Sequence, residues 1–247
     1  MTTNAIEFAG VSKAFGKRAV LREVSFSIAA GSAFVLLGRS GTGKSVTLKL
    51  ICGLLKADSG TIQVGCRDIT KLESNDLVET RKKMGFLFQS AALFDSISVG
   101  ENVAFPLRRN TTAPDGEIRE KARALLEKVG LGEEYDSLPG DLSGGMRKRA
   151  GLARALAVEP EILLVDEPSA GLDPITSREI DELLLKVKTD SKVTLVVVTH
   201  NIPSARSLAD RLAFLDEGKL LQEGTAEELE QSKHQMIRDF MKSQQSG

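Results

Sequence analysis

This sequence predicts an α/β fold built on a central parallel sheet, and three apolar runs are the reason. "AFVLLG" (33–38), "ILLV" (162–165) and "TLVVV" (194–198) are short and continuous. Runs of that kind mark strands buried on both faces, as in a parallel sheet covered by helices. Helical spacings lie between them: Ile118, Ala122, Leu125, Leu126 and Val129, then Ile180, Leu183, Leu184 and Val187. Strands alternating with helices give a parallel core.

The remaining elements follow in chain order. Ile6 and Phe8 begin an alternation that Val24, Phe26 and Ile28 repeat, the pattern of half-buried antiparallel strands. After the first buried run, Val46, Leu50, Ile51 and Leu54 predict a helix. "MGFLF" (84–88) is another apolar run and ends at Gln89. "RRNTTAPDGE" (108–117), polar with Pro and Gly, predicts an exposed loop. "RLAFLDEGKLLQEG" (211–224) predicts a hairpin turning at Glu217-Gly218. A last helical segment follows Gly224, with Leu229, Met236, Ile237 and Phe240 on one face. No internal repeat or low-complexity tract is evident.

Composition narrows the function classes. A chain of 247 residues, 41% hydrophobic and 27% charged, can bury a sizeable core. Lys plus Arg is 33 and Asp plus Glu is 34, so the net charge of -1 argues against a bulk electrostatic grip on nucleic acid. Ten Phe, one Tyr and no Trp are a poor supply of base-stacking platforms, and no nucleic-acid partner is expected. Cys52 and Cys66 are not spaced as a metal or redox pair and read as reduced, partly buried thiols of a cytosolic protein. No apolar run approaches the length of a membrane span. The start, "MTTNAIEF", lacks the basic and apolar regions of a signal peptide, so any membrane role is expected to be peripheral.

"GRSGTGKS" (38–45) follows the first buried run and opens a helix, which is the P-loop pattern in its proper context. Gly38, Gly41 and Gly43 let backbone N–H groups converge on phosphate oxygens, and the helix N-terminus adds positive potential. Lys44 is expected to reach the β- and γ-phosphates and Ser45 to ligate Mg²⁺. "ILLVDE" (162–167) supplies the complementary half. Asp166 ends a buried strand, as a Mg²⁺-holding carboxylate does, and Glu167 is placed to orient or deprotonate water. Gln89 and His200 also end apolar runs, where α/β proteins present ligand-binding side chains. Taken singly, both read as ordinary loop residues. Ser143, Gly144 and Gly145 precede a further helix, an arrangement suited either to an anion or to a plain Ser cap.

In this order, the P-loop, Gln89, "LSGGM" (142–146), "ILLVDE", "SAGLD" (169–173) and His200 resemble the ATP-binding cassette (ABC) ATPases. The resemblance covers roughly residues 5–225. It implies a P-loop NTPase (RecA-like) core with an antiparallel β subdomain and an inserted helical subdomain. Residues 1–225 would be the ATPase domain, with the insertion at about 94–155, and 226–247 a C-terminal helical extension. It implies ATP and Mg²⁺, with ATP contacts at Phe15, Gly38, Arg39, Ser40, Gly41, Thr42, Gly43, Lys44, Ser45 and Val46. Mg²⁺ would be held by Ser45, Gln89 and Asp166, and catalysis would involve Lys44, Gln89, Glu167 and His200. It also implies a head-to-tail dimer with a second copy of the chain. Ser143, Gly144, Gly145 and Asp173 would then face ATP held by the partner.

One departure refines the resemblance. Many cassettes have Gln after Ser-Gly-Gly, where this chain has Met146. With "ALFDSISVGENVAFPLR" (92–108) and "DEPSAGLDPIT", the wording is similar to ATPase subunits of Mce-type lipid transporters, including the Mla phospholipid system. Implied partners are an integral-membrane permease, an Mce-domain lipid-binding protein and, in some systems, a small STAS-domain subunit. The implied place is the cytoplasmic face of the inner (plasma) membrane, held peripherally. Phe94, Phe105 and Pro106 lie where a permease helix would dock, or else pack the insertion. Arg147, Lys148 and Arg149 read as a solvated face, or else as a contact with the other subunit. Three rivals remain: an importer of amino acids, sugars or metals, a regulator of the cell-division type, and a cassette of translation or DNA repair. The last usually carries two cassettes or a long coiled-coil insertion, neither of which is present in these 247 residues.

Overall fold

The computed structural model describes residues 3–243. Met1, Thr2 and residues 244–247, which include the end of the expected C-terminal extension, lie outside the described residues. β1 (Asn4–Phe15) and β2 (Arg18–Ala29) pair antiparallel, with Ile6 opposite Ile28 and Phe8 opposite Phe26. β3 (Ala33–Leu37) leads through the glycine-rich loop into α1 (Lys44–Ile51). β4 (Ser59–Val64), β5 (Arg67–Asp68), α2 (Ser74–Arg81) and β6 (Met84–Leu87) follow. Next come α3 (Val99–Asn110), α4 (Asp115–Lys128) and α5 (Gly144–Leu156). The chain then alternates through β7 (Ile162–Asp166), α6 (Pro174–Ser191), β8 (Thr194–Thr199) and α7 (Ile202–Leu208). β9 (Arg211–Asp216), β10 (Lys219–Gly224), α8 (Ala226–Glu230) and α9 (Gln235–Lys242) complete it.

Among the described residues the strands form two sheets. The first is antiparallel, in the order β2-β1-β4-β5. The second runs β10-β9-β3-β8-β7-β6 and is parallel except for β10. Alternation along its central strands explains the continuous apolar runs. Val35, Leu163 and Val197 join a core shared with α3 to α6, while Phe34, Leu164 and Val196 join one shared with α1 and the first sheet. Both faces are covered, so no position in these strands can be polar without a partner. The predicted hairpin turns at Glu217 and Gly218, whose φ values of 45° and 78° are what a two-residue hairpin turn needs.

Four local expectations change. α1 stops at Ile51 because Gly53 adopts φ 65°, and Leu54 is left outside it, 52% exposed. The loop expected at 108–117 shrinks to 111–114. α3 continues past Pro106 to Asn110, with Arg108 paired to Glu101 and Asp115, and α4 opens with Asp115 and Glu117 in its first turn. The C-terminal segment is two helices rather than one. Thr225 and Glu228 cap α8 reciprocally, and the chain turns before α9. Leu229, Ile237 and Met241 from the two helices are buried, and Phe240 meets Phe214 edge-on at 5.0 Å. Cys66 is exposed rather than partly buried, because it lies in the short turn between β4 and β5.

Candidate active site

The parallel sheet places four of the predicted segments along its C-terminal edge. Leu37 is in register with Thr199, Asp166 with Val198, and Leu87 with Val165. Gly38, His200, Glu167 and Gln89 therefore emerge side by side, where open α/β sheets bind ligands. The glycines are required by contact as well as by torsion. A Cβ on Gly38 would lie 2.2 Å from the Leu215 carbonyl oxygen, and one on Gly43 2.8 Å from Leu21 Cδ2. Gly43 also caps α1 with φ 109°, and the first turn of α1 holds no acidic residue that would oppose an anion.

Lys44 is buried, with its ammonium held by three oxygens. Nζ donates to the carbonyls of Gly38 at 2.8 Å and Arg39 at 3.0 Å, and lies 3.4 Å from Glu167 Oε1. Ser45 Oγ donates to Asp166 Oδ1 at 2.8 Å. Burial pushes the Asp166 carboxyl above the usual carboxylate range, and the Ser45 hydroxyl works against that shift. Arg39 and Ser40 are exposed on the loop, Thr42 Oγ1 donates to the Arg39 carbonyl at 2.9 Å, and Val46 is half-buried.

Glu167 is 8% exposed and takes φ 45°, a strained value for a residue that is not glycine. Its Oε2 accepts from Thr199 Oγ1 at 3.1 Å and from the His200 backbone N–H at 3.2 Å. The His200 ring lies 3.0 Å away through Nδ1. That contact is a hydrogen bond when Nδ1 carries the proton, and it leaves Nε2 on the far side of the ring from Glu167. The His200 side chain is 55% exposed. Gln89 is exposed two positions beyond β6.

Ser143, Gly144, Gly145 and Asp173 form a second, separate constellation. Ser143 caps α5 by accepting from the Met146 N–H at 3.2 Å, and Asp173 caps α6 by accepting from the N–H groups of Ile175 and Thr176, each at 3.0 Å. The Thr176 hydroxyl and then its N–H hold the Asp173 carboxyl below its usual range. A Cβ on Gly145 would lie 2.5 Å from Thr176 Cγ2, so the first turns of α5 and α6 touch. Among the described residues, no hydrogen bond or ion pair joins 143–145 to 38–46. Phe15 ends β1 and is 48% exposed, with the Lys13 ammonium 5.6 Å from its ring centre.

The family model described as ABC transporter matches residues 21–170. The chain belongs to the ABC transporter family. It is 38% identical, over 100% of its length and 94% of the relative's, to the Haemophilus influenzae intermembrane phospholipid transport system ATP-binding protein MlaF. It is 42% identical, over 98% of its length and 70% of the relative's, to the Mycobacterium leprae probable ribonucleotide transport ATP-binding protein mkl. A solved dimeric post-hydrolysis state of the ATP-binding cassette MJ0796, bound to ADP and Pi, superposes with TM-score 0.83 at 32% identity. That match covers 89% of this chain and 98% of the other.

This ABC ATPase therefore binds and hydrolyses ATP on a P-loop NTPase fold. Sequence reasoning overlooked one residue buried beside Glu167. Lys148 was expected on a solvated face with Arg147 and Arg149, yet it is 4% exposed, and its Nζ donates to the Glu167 carbonyl at 3.0 Å. Burial pushes its ammonium down to about 8, against the pull of Asp166 and Glu167. Arg147 and Arg149 are also engaged, with the Leu142 carbonyl and with Glu179 respectively. No sequence signal marks Lys148 apart from its neighbours. Its burial depends on α5 lying against the turn after β7.

Proposed function

We propose that this ABC ATPase powers phospholipid movement between membranes as a subunit of an Mce/Mla-type transporter. The observation that carries the substrate reading is the 38% identity spread over the whole chain to a protein named for intermembrane phospholipid transport. The exposed pair Phe94 and Phe105, with ring centres 5.0 Å apart, offers an apolar seat for a permease segment. The permease would hold the ATPase at the cytoplasmic face of the inner membrane, with an Mce-domain lipid-binding protein and a small STAS-domain subunit as further partners. Among the described residues no helix is long and apolar enough to cross a membrane.

In the proposed reaction two copies bind head to tail. Each ATP lies between the P-loop of one chain and Ser143–Gly145 of the other, with Asp173 near the seam and Phe15 against the adenine. Lys44 exchanges carbonyl contacts for the β- and γ-phosphates. Ser45, Asp166 and Gln89 offer the hard oxygen donors that suit Mg²⁺, and the 2.8 Å Ser45–Asp166 contact already brings two of them together. Bound there, Mg²⁺ would neutralise charge on the phosphate oxygens. Glu167 takes the proton of the attacking water, and His200 offers Nε2 toward the γ-phosphate.

Reconstitution with the permease into vesicles, using labelled phospholipid, tests the substrate. ATP-dependent lipid transfer is expected with the wild-type chain and should disappear with Lys44→Ala. Sustained ATP hydrolysis without lipid transfer would overturn the lipid reading. A second reading rests on the 42% identity to a probable ribonucleotide transport protein, and labelled ribonucleotide uptake in the same vesicles would support it. Hydrolysis with no transport of either would favour a regulatory ATPase of the cell-division type.

A further inference from the structure

The Glu167 backbone is held at both ends. Its N–H donates to the Val198 carbonyl at 2.9 Å, and its own carbonyl accepts from the Ala170 N–H at 3.2 Å and from Lys148 Nζ at 3.0 Å. The first two bonds come from the strand and the turn. The third comes from α5, the helix that Ser143 caps. Glu167 needs such support, because a φ of 45° is costly for a residue with a Cβ and persists only when its surroundings enforce it.

Stability alone does not explain a lysine here. The neighbouring positions Ala150, Leu152 and Ala153 are buried and apolar, so packing of this face of α5 does not itself call for a charged side chain. The other basic residues of α5 staple it to nearby structure: Arg147 to the Leu142 carbonyl, Arg149 to Glu179, and Arg154 to the carbonyls of Ala91 and Ala92. Lys148 instead reaches the residue beside Asp166. Its charge is also felt by both Asp166 and Glu167.

We propose that Lys148 is a positioning residue for ATP hydrolysis. Through the Glu167 carbonyl it fixes the left-handed turn that aims the Glu167 carboxylate, tying the catalytic base to α5. This rests on the reading of Glu167 as the base. The consequence is directional: a displacement of α5 at its Ser143 end is transmitted to the base of the same chain.

The test compares four full-length proteins: wild type, Lys148→Met, Glu167→Gln and the double variant. Single-turnover ATP hydrolysis, ATP affinity and melting temperature are measured for each. Lys148→Met should lower turnover about 10- to 100-fold, the scale of a slightly misplaced reacting group, with ATP affinity nearly unchanged. In the Glu167→Gln background the same change should have little further effect, because the group it acts through is already lost. Wild-type turnover in Lys148→Met overturns the proposal, whatever happens to the melting temperature. So does an equal fractional loss in both backgrounds. If Lys148→Met does not fold, Lys148→Gln, too short to span to the carbonyl, is measured in its place with the same outcomes. Failure of the base reading shows separately, as wild-type turnover in Glu167→Gln alone.

Discussion

The sheet edge at Gly38–Ser45 and the helix ends at Ser143 and Asp173 are both proposed to meet phosphate, yet the fold treats them differently. At the sheet edge the functional groups satisfy one another. Lys44, Ser45, Asp166 and Glu167 are linked by contacts of 2.8 to 3.4 Å, and Lys44, Asp166 and Glu167 are buried. At the helix ends each group caps only its own helix, and Ser143 and Asp173 remain exposed. Side chains that must act together inside one chain are organised by that chain's core. Side chains that act on another chain's ligand stay at the surface and need only their helix to aim them. The difference supports the head-to-tail reading, in which a single chain carries two halves of two different sites.

The largest expected effect lies on the buried side. Glu167→Gln removes the proposed base while leaving Lys44 and the P-loop in place. Turnover should fall by about 10²–10⁴, the usual worth of a positioned base, with ATP binding retained. A closed dimer should then accumulate with ATP, visible by size-exclusion chromatography. Hydrolysis at the wild-type rate would break the comparison, because the best-organised residue of the site would be doing no chemistry.

A smaller effect comes from crossing the two regions. Ser143→Arg and Lys44→Ala should each fail to close with ATP when alone. In a mixture, the heterodimer has one site with both lesions and one site with neither. The intact site pairs the P-loop of the Ser143→Arg chain with the Ser143 of the Lys44→Ala chain. Partial ATP-dependent closing should therefore return, measured across mixing ratios by crosslinking or light scattering. No recovery at any ratio would count against a shared site, and normal closing by Ser143→Arg alone would end it.

How much of this was legible in the sequence follows the same divide. β3, β7 and β8 announce themselves because burial on both faces makes their runs continuously apolar and confines the polar residues Asp166, Thr194 and Thr199 to strand ends. The P-loop is legible because Gly38 and Gly43 sit where any side chain would strike Leu215 or Leu21. β4 and α2 went unmarked because they bury too little: Ile62 and Val64 in one, Leu77 and Thr80 in the other. Lys148 was misread because a basic triplet on a helix looks solvated until a second element covers it, and that cover is a tertiary fact. The break between α8 and α9 was hidden by a helical apolar spacing that continues across the turn at 231–234.

The smallest effect separates two roles of one hydroxyl. Ser143 Oγ accepts from the Met146 N–H, and its own hydrogen is still free to donate elsewhere. Ser143→Ala removes both functions and should cost about 1 kcal/mol of stability, as a lost N-cap does. Ser143→Asp keeps a capping acceptor of equal quality but sets a negative charge against the partner's γ-phosphate. Thermal melting should therefore rank Asp near wild type and Ala below it. ATP-driven closing should rank them in the opposite sense, with Asp the more impaired because like charges repel across the seam. If Ser143→Asp melts and closes as the wild type does, Ser143 is a cap alone, and the exposed face at α5 reads no phosphate.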